Sequence, residues 1–177
     1  MREIGVLLYR DWLEFKRKYI SYILLWFSFP MILYLCIVVP FDSYIIKVNL
    51  MNYKNWSSPG IWICSSGILS FIYSYIKLKN LLHKEKQLYK YLKAPLSNGQ
   101  FLIALVICSI VIGIIQLSIS ILITTSLNND YLHFAQLFFI FLNVITILLF
   151  CSLIGLLFAI YIKDDFFVAL IFFIFFI

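Results

Sequence analysis

Residues 101–125 read FLIALVICSIVIGIIQLSISILITT, a run without one charged side chain. The charge-free interval around it extends from Lys93 to Asp130, and a second runs from Asp130 to Lys163. Each exceeds the ~20 residues that cross a hydrocarbon core about 30 Å thick. No soluble domain has a place for such runs, so they decide the fold class: all-α, a polytopic bundle of membrane-spanning helices. Composition agrees. Of 177 residues, 64% are apolar and 12% are charged, against roughly 45–50% and about 25% in a soluble domain. A free-standing soluble enzyme is excluded because so few charges cannot cover its surface. Disorder is excluded because it needs low hydrophobicity.

Outward from this stretch, spans are predicted at about 19–40, 58–76, 101–125 and 134–162, with a fifth starting at Phe166, all within one transmembrane domain over 1–177. The fourth would be ~43 Å long at ~1.5 Å per residue, so a tilt or protrusion is expected. The fifth has twelve residues up to Ile177, ~18 Å, too short to cross. A chain end inside lipid would leave carbonyls unsatisfied. The expectation is therefore that the 177 residues belong to a longer protein that completes this span.

The fourteen basic residues set the orientation. Arg2, Arg10, Lys16, Arg17 and Lys18 precede the first span. Lys77, Lys79, Lys84, Lys86, Lys90 and Lys93 lie between the second and third, and Lys163 follows the fourth. A cytoplasmic N-terminus in the cell (inner) membrane puts these twelve inside and leaves only Lys47 and Lys54 outside, as the positive-inside rule requires. Loops 41–57 and 126–133 are then external, and loop 77–100 is cytoplasmic. The N-terminal segment lacks the short basic region, apolar core and small-residue site of a cleaved signal.

Within residues 2–18, Ile4, Leu8, Trp12, Phe15 and Tyr19 recur at helical spacing, with Glu3, Arg10, Glu14 and Arg17 on the other side. A basic amphipathic helix with aromatics on its apolar face lies in the membrane interface. The plainer reading is an orientation signal with helical tendency. Pro30 should kink the first span. Ser58 and Pro59 read as the cap and first position of the second. Ser66, Ser70 and Ser74 share a face of the second span. Ser109, Gly113, Gln116 and Ser120 share a face of the third, and Cys151, Gly155 and Ala159 one of the fourth. Small residues at this spacing permit close helix approach. With Asn143 they line either helix interfaces or a transport path. The four cysteines form no C-x-x-C pair and read as packing residues.

Residues 80–93 favour a helix with Leu81, Leu88 and Leu92 on one face, ended by Pro95 and Asn98-Gly99. Such a helix suits either anionic lipid or a groove on a cytoplasmic partner. No phosphate-binding G-x-x-x-x-G-K-[ST] loop occurs. His83 and His133 fall on opposite sides of the membrane, and no acidic pair lies within a span, which argues against a proton relay. An uncharged path suits an amphipathic or lipid-linked substrate. No catalytic, metal or cofactor site is predicted, and no nucleic-acid partner.

At this loop the chain resembles the ABC type-2 transporter permeases. The resemblance rests on Tyr53 followed by Ser58-Pro59-Gly60-Ile61, on Glu85, Leu88 and Leu92 ahead of Pro95-Leu96-Ser97, and on Gly113-Ile114-Ile115-Gln116, in that order. Lys86-Gln87 departs from the Gly-Thr pair frequent in the family. The resemblance implies a six-span permease that pairs with a second permease subunit and couples to an ABC ATPase subunit, which holds the ATP and Mg. It implies further that residues 80–95 are a coupling helix whose Glu85, Leu88, Tyr89, Tyr91, Leu92 and Pro95 touch that ATPase. The implied function is an ATP-driven exporter. The alternatives are a membrane scaffold or accessory subunit and, with less support, a membrane-embedded enzyme.

Overall fold

Charge-free apolar runs in lipid must satisfy their own backbone, and the helix does so within each segment. In a computed structural model, residues 2–45, 47–48, 51–83, 98–128 and 134–162 are described. Helix α1 covers Arg2–Arg17 and α2 covers Tyr19–Leu33. A π-helical turn, Tyr34–Val38, leads into α3, Val39–Asp42. Strands β1 (Lys47–Val48) and β2 (Met51–Asn52) pair antiparallel, Val48 opposite Met51. Helix α4 spans Tyr53–His83, α5 Asn98–Asn128 and α6 Phe134–Tyr161. Among the described residues, four helical segments are long and apolar enough to cross a membrane: Tyr19–Asp42, Tyr53–Leu82, Gly99–Asn128 and Phe138–Tyr161. The chain is an all-α polytopic bundle.

The four predicted spans are present, but their ends move. The second starts at Tyr53, so Ser58 is no cap and Pro59 lies inside the helix. The reason is packing. Tyr53 is buried with Tyr34, Val38 and Ile61, and the Ser57 and Ser58 hydroxyls donate to the Lys54 carbonyl at 3.1 and 2.7 Å. These contacts carry the helix upstream of the proline. At the other end α4 runs on to His83, which makes Lys77 and Lys79 helical instead of loop residues. The segment 41–57, expected to be an external loop, likewise contains the end of α3, the two short strands and the start of α4. In the first span the departure from α geometry is the π turn, one helical turn beyond Pro30. Residues 166–177 lie outside the described residues.

Helix α4 is central and packs against both α5 and α6. One core cluster joins Phe71, Tyr75, Leu78, Leu105, Leu156 and Ala159. A second joins Trp62, Leu117, Ile121, Val144 and Leu148. Without water, apolar burial does not drive helices together in a bilayer; close packing and hydrogen bonds do. Gly67, Gly113 and Gly155 provide the close packing. A Cβ built on Gly155 would sit 2.6 Å from the Phe71 carbonyl oxygen and would also collide with Ser74 Oγ.

Candidate functional site

The bundle has two polar levels. At one, Lys54 Nζ pairs with Asp42 at 3.0 Å, and Asn128 accepts from the Tyr34 hydroxyl at 2.6 Å and donates to Ser58 Oγ at 2.9 Å. At the other lies Asp11, from α1. The twenty residues from Cys108, beside Asp11, to Asn128 rise ~30 Å, which is the thickness of a hydrocarbon core. The polar levels therefore lie about one hydrocarbon thickness apart along α5, and Asp11 of α1 belongs to one of them.

Asp11 collects donors from three helices. Lys77 Nζ bonds Oδ1 at 3.2 Å and also reaches Glu14. Arg10 Nη2 bonds Oδ1 at 3.0 Å. The Tyr73 hydroxyl donates to Oδ2 at 3.2 Å and the Cys108 thiol to the same oxygen at 3.4 Å. The Asp11 and Lys77 side chains are 7% and 16% exposed. Charges so withdrawn from water persist only when paired and hydrogen-bonded. Burial alone pushes the Asp11 carboxyl up, but the Lys77 ammonium and then Arg10 outweigh it and hold it below its ordinary 3.8. The cluster clamps α1 onto α4 and α5.

Beneath α1 lies a cavity of about 210 Å³. Its wall includes an aromatic stack in which Phe15 meets Trp12, Trp26 and Tyr22 at centroid separations of 5.7, 5.2 and 5.1 Å. Val111, Ile112 and Ile115 of α5 also line it, together with the polar cluster of Asp11, Tyr73, Lys77 and Cys108.

Between the polar levels a ladder of side chains joins α4 to α5. Trp62 Nε1 donates to Thr124 Oγ1 at 2.6 Å, and Ser65 and Ser120 share a bond of 2.7 Å. Gln116 Nε2 reaches Ser120 Oγ at 3.4 Å and the Trp26 carbonyl of α2 at 3.2 Å. The residues 124, 120 and 116 recur every four positions, so one face of α5 carries the ladder.

Of the residues singled out by sequence, Ser66, Ser70, Ser74 and Gln116 are fully buried, and Gly113 is buried beside Leu148. Ser70 donates to the Leu148 carbonyl of α6 at 3.3 Å, whereas Ser66 and Ser74 bond within α4. Asn143 does not join them: it is exposed on α6 and donates to Phe139 one turn back at 2.8 Å. On α1, Leu8 and Phe15 are half-buried, while Trp12 is exposed; the side chain of Ile4 falls outside the described set. The face of α1 that docks is centred on Asp11, and Arg10 and Glu14, expected to point outward, belong to it. The hydrophobic pattern could not show this, because Asp11 finds its partners on α4 and α5 62 to 97 residues away. Cys108 is likewise more than a packing residue. Glu85, Leu88, Tyr89, Tyr91, Leu92 and Pro95 lie outside the described residues. Among the described residues no group of three or more His, Cys, Asp or Glu is placed to hold a metal ion.

A family model described as ABC-2 type transporter matches residues 2–177. Comparison with curated proteins gave no match, and comparison with solved structures gave none.

Proposed function

The chain belongs to the ABC-2 type transporter family, and on that premise we propose that this multi-pass permease subunit exports an amphipathic or lipid-linked substrate, driven by ATP that a separate subunit hydrolyses. The N-terminus and α1 are cytoplasmic, in the cell (inner) membrane, and residues 80–95 form the helix that docks on the ATPase. A second permease subunit completes the path. ATP and Mg belong to the ATPase chain.

The observation that carries this reading is the Asp11–Lys77 clamp at one end of an unbroken α4. A motor moves spans only through a stiff element tied to them. Helix α4 continues less than two turns past Lys77 to His83, so its last residues open the proposed docking segment. A displacement there reaches α4, through Lys77 α1, and through Asp11 and Cys108 α5. The lysines around Leu88 and Leu92 suit a groove with apolar floor and acidic rim.

The test uses the full protein assembled with its ATPase. Leu92→Cys should cross-link to the ATPase, and inside-out vesicles should accumulate an amphipathic substrate only when ATP is hydrolysed. Assembly with no adduct at any position from 85 to 95 would overturn the docking assignment. Labelling of position 90 from the outside medium would overturn the orientation.

A further inference from the structure

We propose that the cavity beneath α1 is a binding site for one acyl chain of a bilayer phospholipid, held as a resident component of the fold. The proposal does not rest on the transport reading; it needs only a membrane protein.

Three observations carry it. The cavity, at about 210 Å³, exceeds the ~150 Å³ apolar cavity that binds benzene. Its wall of Trp12, Phe15, Tyr22, Trp26 and α5 aliphatics is apolar, and its polar cluster of Asp11, Tyr73, Lys77 and Cys108 is already bonded internally. The ligand portion inside therefore carries no charge, although the lining residue Trp26 has a buried indole N–H without a hydrogen-bond partner. Finally, the cavity opens toward lipid. Its lining residues Trp12 and Val111 are 58% and 49% exposed. Val111 continues an exposed apolar stripe with Ile103 and Ile107, spaced four residues apart on α5. In a bilayer such a stripe faces hydrocarbon, so acyl chains are the molecules at the mouth. An empty cavity there would forfeit the dispersion contacts of its whole lining, and water finds too few polar partners on its apolar walls. An inserted chain links α1, α2 and α5 and so supports the Asp11 clamp from its apolar side.

The experiment reconstitutes the full chain in vesicles of dibromostearoyl phosphatidylcholine, with no transport substrate present. Trp26 is kept as the reporter and Trp12, Trp56 and Trp62 are replaced by Phe. Trp26 emission should fall at least twofold relative to unbrominated vesicles, although Trp26 is buried. Ile115→Phe, which fills the cavity, should restore most of it. Independently, native mass spectrometry of the otherwise unchanged chain should show one phospholipid retained after detergent washing and lost in Ile115→Phe. Unquenched Trp26, quenching that Ile115→Phe leaves unaltered, or a lipid-free native chain would each overturn the site. If the three-Phe variant fails to assemble, the mass spectrum decides alone.

Discussion

Gln116 donates its side-chain amide to the carbonyl of Trp26 at 3.2 Å, the carbonyl that Pro30, four residues on, has no N–H to satisfy. A proline inside a helix frees this acceptor, and within a bilayer such groups must find partners on neighbouring helices. Gln116 of α5 thus repairs α2. Gln116→Leu should destabilise the protein by about 1–3 kcal/mol, the cost of an unsatisfied buried group. In a Pro30→Ala background the regained backbone N–H can close the helix, and the same substitution should cost at least about 1 kcal/mol less. Chemical unfolding in detergent of the four-member cycle checks this. Equal losses in both backgrounds would show that the bond to Trp26 contributes nothing.

The Asp11–Lys77 pair is the second test. Removing one member of a buried pair leaves the other charge without compensation, at up to about 3–5 kcal/mol. Here Glu14 remains for Lys77, so Asp11→Ala should lose about 2 kcal/mol. Lys77→Ala should lose a similar amount, and the double variant should lose less than their sum by about 1–3 kcal/mol. Proteolysis within residues 2–17 should accelerate in each single variant, because α1 is then released. Strict additivity would refute the clamp.

The spans were legible in the sequence because charge-free intervals are a one-dimensional property. Lys93, Asp130 and Lys163 bracket α5 and α6 without any knowledge of packing. The buried stripe of Ser109, Gly113, Gln116 and Ser120 was legible for a similar reason: its spacing is that of one helix face. The start of α4 was not, because Ser58-Pro59 carries a strong local signal that the burial of Tyr53 against Tyr34 overrides. Nor was Asp11. An acidic residue in a basic amphipathic segment reads as its wet side until Tyr73, Lys77 and Cys108 are brought to it. Gln116 could be placed in the interior, but its purpose depends on Pro30 in another helix.

The pH dependence of the clamp follows from the direction of the Asp11 shift. A carboxyl held below its ordinary 3.8 binds protons more weakly folded than unfolded, so it contributes stability above the unfolded value. That contribution disappears as pH falls through the lower folded value. Thermal stability should therefore show no Asp11-dependent step between about pH 5 and 8. Below about pH 4 a loss should set in that is absent from Asp11→Asn. Circular dichroism melts of both proteins from about pH 3 to 8 make the comparison. A step at neutral pH, or an acid step unchanged in Asp11→Asn, would contradict the assignment.

Glycine substitutions should rank by what a new methyl meets. At Gly60 no atom lies within 4 Å, and Ala there should stabilise by up to about 1 kcal/mol through helix propensity. At Gly113 the nearest atom, at 2.5 Å, is Leu148 Cδ2, the end of a side chain that can rotate, so the loss should stay near about 1 kcal/mol. At Gly155 the obstacle includes the Phe71 carbonyl at 2.6 Å, which cannot move without separating α6 from α4. Gly155→Ala should therefore cost about 2–3 kcal/mol, the upper range for overpacking. It should also break the Ser74 contact and loosen the core around Phe71 and Leu156. Melting temperatures of the three variants in one detergent test the order. Gly155→Ala as stable as Gly60→Ala would mean that the helices are farther apart than this packing requires.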